Sequence, residues 1–198
     1  MIKRTDTLPE GYAPIYSVDL QKNKKMMLLV NAIAIALAAA LAVPAAIFVP
    51  ISSLFEMESG IGVYFLRFGV LLFGSLLYIV LHECVHGAVM KLLGTKKVKY
   101  GFTGMYAFAG SDDYYGKLPY IIIALAPVLL FGVIFGILSA ALDGAWFWVV
   151  WILEISNISG AAGDFFVSFK FISLPADILV RDFGVGMTVY SRKEENAQ

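Results

Sequence analysis

The sequence predicts an all-α polytopic membrane protein of four transmembrane helices, with a short β-hairpin or extended loop after the second. Three observations predict it. Hydrophobic residues make up 60% of the chain and charged residues only 15%, which leaves too little polar surface for a water-soluble domain of this size. Four charge-poor runs, residues 26–49, 61–93, 118–142 and 145–169, each meet the roughly 20 residues that a helix needs to cross a bilayer's hydrocarbon core. Between the second and third runs the pattern changes to alternation, Val98, Tyr100 and Phe102, punctuated by Gly101 and Gly104, which is strand and turn chemistry. The expected organisation is one membrane-embedded domain over residues 1–198, with residues 1–25 and 170–198 as tails.

Before the first run the chain is polar, with a turn-rich Leu8-Pro9-Glu10-Gly11-Tyr12-Ala13-Pro14 and then Lys22, Lys24 and Lys25. The run that follows exceeds the roughly 7–15-residue core of a signal peptide, so it reads as a retained helix, disturbed or ended by Pro44 and Pro50. Arg67 stands near the start of the second run, where it reads as a snorkelling interface anchor. Lys91, Lys96, Lys97 and Lys99 close the second run and orient that end to the cytoplasm by the positive-inside rule. Both termini are then cytoplasmic, Lys170, Arg181, Arg192 and Lys193 agreeing, and the cell membrane is the expected location. Asp112 and Asp113 read as solvated loop residues. In the third run Gly132 and Gly136 are spaced for close helix approach.

The second run carries the only two histidines of the chain, in Leu81-His82-Glu83-Cys84-Val85-His86-Gly87. On a helix His82 and His86 share one face a turn apart and can bind one metal ion. Glu83, one residue beyond the first histidine, stands where a general base can reach a water at that metal. Cys84 points away from this face and reads as a small buried packing residue. Being the sole cysteine, it excludes a disulfide framework.

The fourth run turns polar in its second half, with Glu154, Ser156, Asn157, Ser159, Gly160, Gly163 and Asp164. Such groups are tolerated in a membrane helix when they face protein, water or metal. Counting places Asp164 with the histidines. His82 lies nineteen residues from Val63, and Asp164 nineteen from Ala145, so at about 1.5 Å per residue both sit about 28 Å from the same side. Asp164 is therefore the expected third metal ligand. Asn157, seven residues and nearly two turns before Asp164, shares its face and is the candidate for hydrogen-bonding the substrate carbonyl or oxyanion. Glu154 lies off that face and reads as a packing residue, with a group supporting the ligands from behind as the alternative.

With these residues in hand, the chain resembles the DUF3267 family of zincin-type membrane peptidases, itself similar to the site-2 protease class of intramembrane metalloproteases. The resemblance rests on Leu8-Pro9-Glu10-Gly11-Tyr12, on His82 to Gly87, on Val98 to Tyr115, on Asn157 to Asp164, and on Asp182 to Gly186 with Tyr190. It implies Zn2+ held by His82, His86 and Asp164, with Glu83 activating water to hydrolyse a peptide bond. The Asn-Pro and Leu-Asp-Gly elements of site-2 proteases are matched only in part, by Asn157 and Asp164.

The reading is an intramembrane zinc metallopeptidase acting near the cytoplasmic face. Its expected partners are the lipid bilayer and a membrane-protein or peptide substrate, which residues 98–110 could hold as an added strand. Balanced charge, formally zero, argues against nucleic acid. Two other classes stay open: a non-catalytic zinc-binding regulatory subunit, and a metal-handling or transport protein with Glu154, Asn157 and Asp164 along its path. The transporter reading calls for polar residues on other helices, and the first and third runs carry almost none.

Overall fold

The structure is a computed structural model that describes residues 2–19, 22–104, 106–184 and 186–192. Lys193 of the expected C-terminal tail lies outside them. In chain order the elements are β1 (Arg4–Thr5), β2 (Tyr12–Asp19), α1 (Lys24–Phe48), a 3-10 turn (Ile51–Phe55), α2 (Ile61–Leu92), β3 (Lys99–Phe102), β4 (Ala107–Gly110), β5 (Tyr114–Gly116), α3 (Lys117–Ala141), α4 (Gly144–Gly160), α5 (Ala162–Ile172), β6 (Leu179–Asp182) and β7 (Gly186–Arg192). Four helical stretches, Lys24–Phe48, Ile61–Leu92, Lys117–Ala141 and Gly144–Ile172, are long and apolar enough to cross a membrane. The last of them is broken at Ala161, between α4 and α5.

Two compact units divide the chain. The first holds residues 1–28, 83–126 and 164–198. Its described part contains a five-stranded antiparallel sheet in the order β1-β5-β6-β7-β2. The all-α expectation is corrected here, because the presumed tails are strands: β2 pairs along β7, from Tyr12 against Arg192 to Asp19 against Gly186. The physical reason is alternation. Met187, Val189 and Ser191 face inward on β7, and Val18 does so on β2. With Val180, Ile178 and Tyr115, the side chains of Val18, Met187 and Val189 pack on Met90 of α2, Tyr120, Ile123 and Ala124 of α3, and Val167 and Phe171 of α5. Pro14 has no N–H to give the ladder, and the register shifts between Pro14 and Tyr16, as expected for proline on an edge strand.

The β3–β4 hairpin forms a separate two-stranded sheet, Lys99 opposite Gly110 and Phe102 opposite Ala107, so the hairpin expectation holds at this point. Gly110 of β4 meets the β6–β7 turn backbone to backbone: a Cβ on Gly110 would lie 2.7 Å from Gly184 N and 2.8 Å from Phe183 C. Asp112 and Asp113 are not merely solvated. Asp113 takes Arg4 at 2.7 Å, and Asp112 takes Lys99 at 2.6 Å and Arg181 at 3.1 Å. These two cations hold the exposed Asp112 carboxyl below the usual carboxylate range.

The second unit holds residues 29–82 and 127–163. α1 runs through Pro44 and stops at Phe48, before Pro50. Trp148 and Val149 of α4 pack with Ala45 and Leu54. The indole N–H groups of Trp148 and Trp151 donate to the carbonyls of Pro50 and Leu41, as buried indoles require. Large apolar side chains such as Ile35, Phe73 and Leu129 stay exposed along the helices. Such surface suits hydrocarbon and not water.

Arg67 also departs from expectation. It is 1% exposed and does not snorkel; it donates to the Ser53 and Glu56 carbonyls and pairs with Glu56 Oε1 at 3.7 Å. The turn after α1 folds over the guanidinium and takes up its two terminal NH2 groups, while Nε has no partner among the described residues. Arg67→Leu should lower stability by about 1–3 kcal/mol, since the Glu56 carbonyl loses its donor. Thermal unfolding in detergent reads this, and an unchanged midpoint would show that the clamp is dispensable.

Candidate metal centre

α2 is continuous from Ile61 to Leu92, so helix geometry alone sets His82 and His86 one turn apart on one face. Both are buried. Asp164 falls in the first turn of α5, where a carboxylate also complements the helix dipole. Its Oδ1 lies 3.9 Å from His86 Nε2. The candidate ligand atoms of His82, His86 and Asp164 all lie within 4.8 Å of one another. Two imidazoles and one carboxylate form a donor set of the kind that catalytic zinc takes, leaving a position for water or substrate.

The chemistry of the rings agrees with that donor set. His86 Nδ1 lies 2.8 Å from the Ile123 carbonyl. A carbonyl only accepts, so Nδ1 carries the hydrogen and the ring presents Nε2 as donor atom. Nε2 is also the atom that faces Asp164.

Glu83 is half-buried and follows His82 on the helix. The β4 backbone at Ala109 and the Asp182 carboxylate both act on its carboxylate. Gly87 shares its face one turn on. The position of Gly87 is taken up by Tyr100 of β3, whose hydroxyl would overlap a Cβ placed there. A glycine after the second histidine thus lets the hairpin settle on α2. Gly87→Ala and Gly110→Ala should differ: the first meets the tip of a side chain that can swing, the second meets backbone that cannot. Gly110→Ala is expected to cost about 1–3 kcal/mol as overpacking and Gly87→Ala less, read by detergent unfolding midpoints; equal losses would reject the backbone contact.

Asn157 is not where the sequence reading put it. The break at Ala161, with φ −84 and ψ 15, interrupts the helical repeat, so the two-turn spacing from Asn157 to Asp164 no longer defines one face. Asn157 is 0% exposed and its amide donates to the Val128 carbonyl and to Glu154, both at 3.2 Å. Both amide hydrogens are used inside the protein, which revises the oxyanion-donor expectation. Glu154, read as packing, is the buried partner of this amide. Cys84, expected to be a buried packing residue, is exposed.

Two residues escaped the sequence reading. Tyr78, one turn before His82, places its hydroxyl 2.8 Å from His82 Nδ1; a polar tip at helical spacing from a ligand histidine is a signal that could have found it. Asp182, named above only among the residues of the resemblance, accepts from the Tyr120 hydroxyl at 2.5 Å and the Gly184 N–H at 2.7 Å. Desolvation pushes its carboxyl above the ordinary range while those two donors restrain the rise. Its charge also bears on His86, Asp164 and Glu83, which no local sequence pattern announces.

A helix-borne histidine pair with an intervening glutamate and a carboxylate from a later helix defines the zincin class of metal-dependent hydrolase. The family model of DUF3267, described as "Putative zincin peptidase", matches residues 75–179, and the chain belongs to that family. The matched segment contains Tyr78, His82, Glu83, His86, Asn157 and Asp164. Comparisons with curated proteins and with solved structures return no match.

Proposed function

We propose that the chain is an intramembrane zinc metallopeptidase that hydrolyses peptide bonds of membrane-associated substrates near the cytoplasmic face. The observation that carries this reading is the convergence of His82, His86 and Asp164 within 4.8 Å, on helices long and apolar enough to cross a bilayer. His82 and His86 would hold zinc through their imidazoles and Asp164 through its carboxylate. Zinc, when bound, supplies Lewis acidity that polarises a carbonyl and lowers the pKa of water. Glu83 would take the proton of the attacking water and return it to the leaving amine. The amide bond breaks as the new carbon–oxygen bond forms, giving a carboxylic acid and an amine.

The substrate must arrive extended, because a helical peptide bond is shielded by its own turn. Among the described residues β3 pairs only with β4, and Tyr100 and Phe102 are exposed on it. Its outer edge is a fitting template for an unwound substrate strand. The lysines at positions 91, 96, 97 and 99 support a cytoplasmic side for this end of α2, with both termini on that side.

The test is cleavage of a panel of membrane-tethered peptides by protein reconstituted with zinc in vesicles. Cleavage that stops on chelation and returns with zinc is the expected result. A zinc-loaded protein that cuts nothing across a broad panel would overturn the enzymatic reading in favour of a binding subunit.

A further inference from the structure

We propose that a buried chain of hydrogen bonds, from the Val128 carbonyl through Asn157 to Tyr78, fixes the tautomer of His82 and so decides which ring nitrogen it offers to a metal. The role of the metal rests on the metallopeptidase reading above; the direction of the chain does not. All of its members lie within the second unit.

The direction is set at the end remote from the histidine. The Asn157 carboxamide lies with one terminal atom 3.2 Å from the Val128 carbonyl oxygen and 3.2 Å from Glu154 Oε2. A backbone carbonyl can only accept, so that terminal atom must be the NH2 group and the other the oxygen. Both amide hydrogens are thereby assigned, and Asn157 Oδ1 needs a donor. The Tyr78 hydroxyl supplies it at 3.1 Å.

A phenol has one hydrogen. With that hydrogen directed at Asn157, the Tyr78 oxygen meets His82 Nδ1, 2.8 Å away, as an acceptor. Nδ1 must then carry the imidazole hydrogen, and the lone pair of the neutral ring falls on Nε2. Reversing any member would set two acceptors or two donors against each other in a site closed to water, where such mismatches are poorly tolerated. Gly132 on α3, one turn beyond Val128, lies against the same groups: a Cβ there would be in ordinary van der Waals contact with Glu154 Oε1 and Asn157 Nδ2, at 3.5 and 3.6 Å.

His86 reaches the same tautomer by a shorter route, through the Ile123 carbonyl. The two rings are therefore set independently, one by a backbone acceptor directly and the other by a backbone acceptor three bonds away. Tyr78 and Asn157 are positioning residues, acting through His82, and Glu154 is the second acceptor of the Asn157 amide. This accounts for polar groups on α4 that neither a packing role nor an oxyanion role explains.

The chain has only two histidines, which makes the test direct. In metal-free protein labelled with 15N-histidine, in nanodiscs at mildly alkaline pH, long-range proton–nitrogen correlations read each tautomer. Both rings are expected in the Nδ1–H form. Tyr78→Phe should convert His82 to a mixture or to Nε2–H, leave His86 unchanged, and weaken zinc binding by about 10–100-fold in chelator competition. Glu154→Gln and Glu154→Leu both leave the Val128 carbonyl to orient the Asn157 amide and should keep His82 in the wild-type tautomer. If Tyr78→Phe does not fold, Asn157→Leu, of similar size but without the oxygen that accepts from Tyr78, should shift the His82 tautomer in the same way. Wild-type His82 protonated at Nε2 would overturn the proposal, as would a Tyr78→Phe protein with His82 tautomer and zinc affinity unmoved. Correct tautomers in a protein that binds no zinc would overturn the metallopeptidase reading alone.

Discussion

Glu83→Gln is expected to lower peptide cleavage by about 10²–10⁴-fold or below detection, the usual contribution of a positioned general base, with zinc content unchanged. The substitution preserves size and a carbonyl oxygen but removes the group that takes the proton. Glu83 is one residue from a ligand histidine without belonging to the cluster of His82, His86 and Asp164, so metal binding should survive. Its carboxylate accepts from the β4 backbone at Ala109 and lies in the field of Asp182, and the Gln amide keeps an oxygen for the same backbone donor. Zinc analysis and cleavage measured on one preparation decide the matter. Undiminished cleavage would remove Glu83 from the mechanism, and loss of zinc together with cleavage would make it a structural support of the site.

The second large effect is expected at Asp164. Removing an outer-sphere partner of a metal ligand typically weakens binding 10–100-fold, so loss of a ligand itself, in Asp164→Ala, should weaken zinc binding by at least about 100-fold and abolish cleavage. The carboxylate also sits in the first turn of α5, so the variant loses a favourable helix-dipole contact as well. Asp164→Asn separates the two effects, keeping size and an oxygen while discarding the charge. Chelator competition measures the affinity and thermal unfolding the fold. Full zinc occupancy at wild-type affinity in Asp164→Ala would take Asp164 out of the ligand set.

Much of this site was legible along the chain because its logic is helical. The four-residue interval between His82 and His86 means one face of one helix wherever that helix lies, and the structure keeps α2 unbroken through it. Asp164 was found by counting residues from the ends of apolar runs, and its carboxylate lies 3.9 Å from His86 Nε2. The same counting misled at Asn157, because it assumed a continuous helix where the chain breaks at Ala161. Polar residues in the second half of the fourth run announced that something there needed partners; they did not say which.

The four apolar spans and the histidine pair were determined by the sequence alone, since run length and helical period depend on neighbours a few residues away. Only the tertiary structure decided that Tyr12–Asp19 and Gly186–Arg192 are strands, that Arg67 is enclosed, and that Tyr78 and Asn157 stand behind His82. Each of these turns on a partner far along the chain: Tyr12 against Arg192, Tyr78 against Asn157. A hydrogen-bonding group carries its capacity to donate or accept in its own chemistry, but the group it meets is set by how distant segments come together, and no local window contains both.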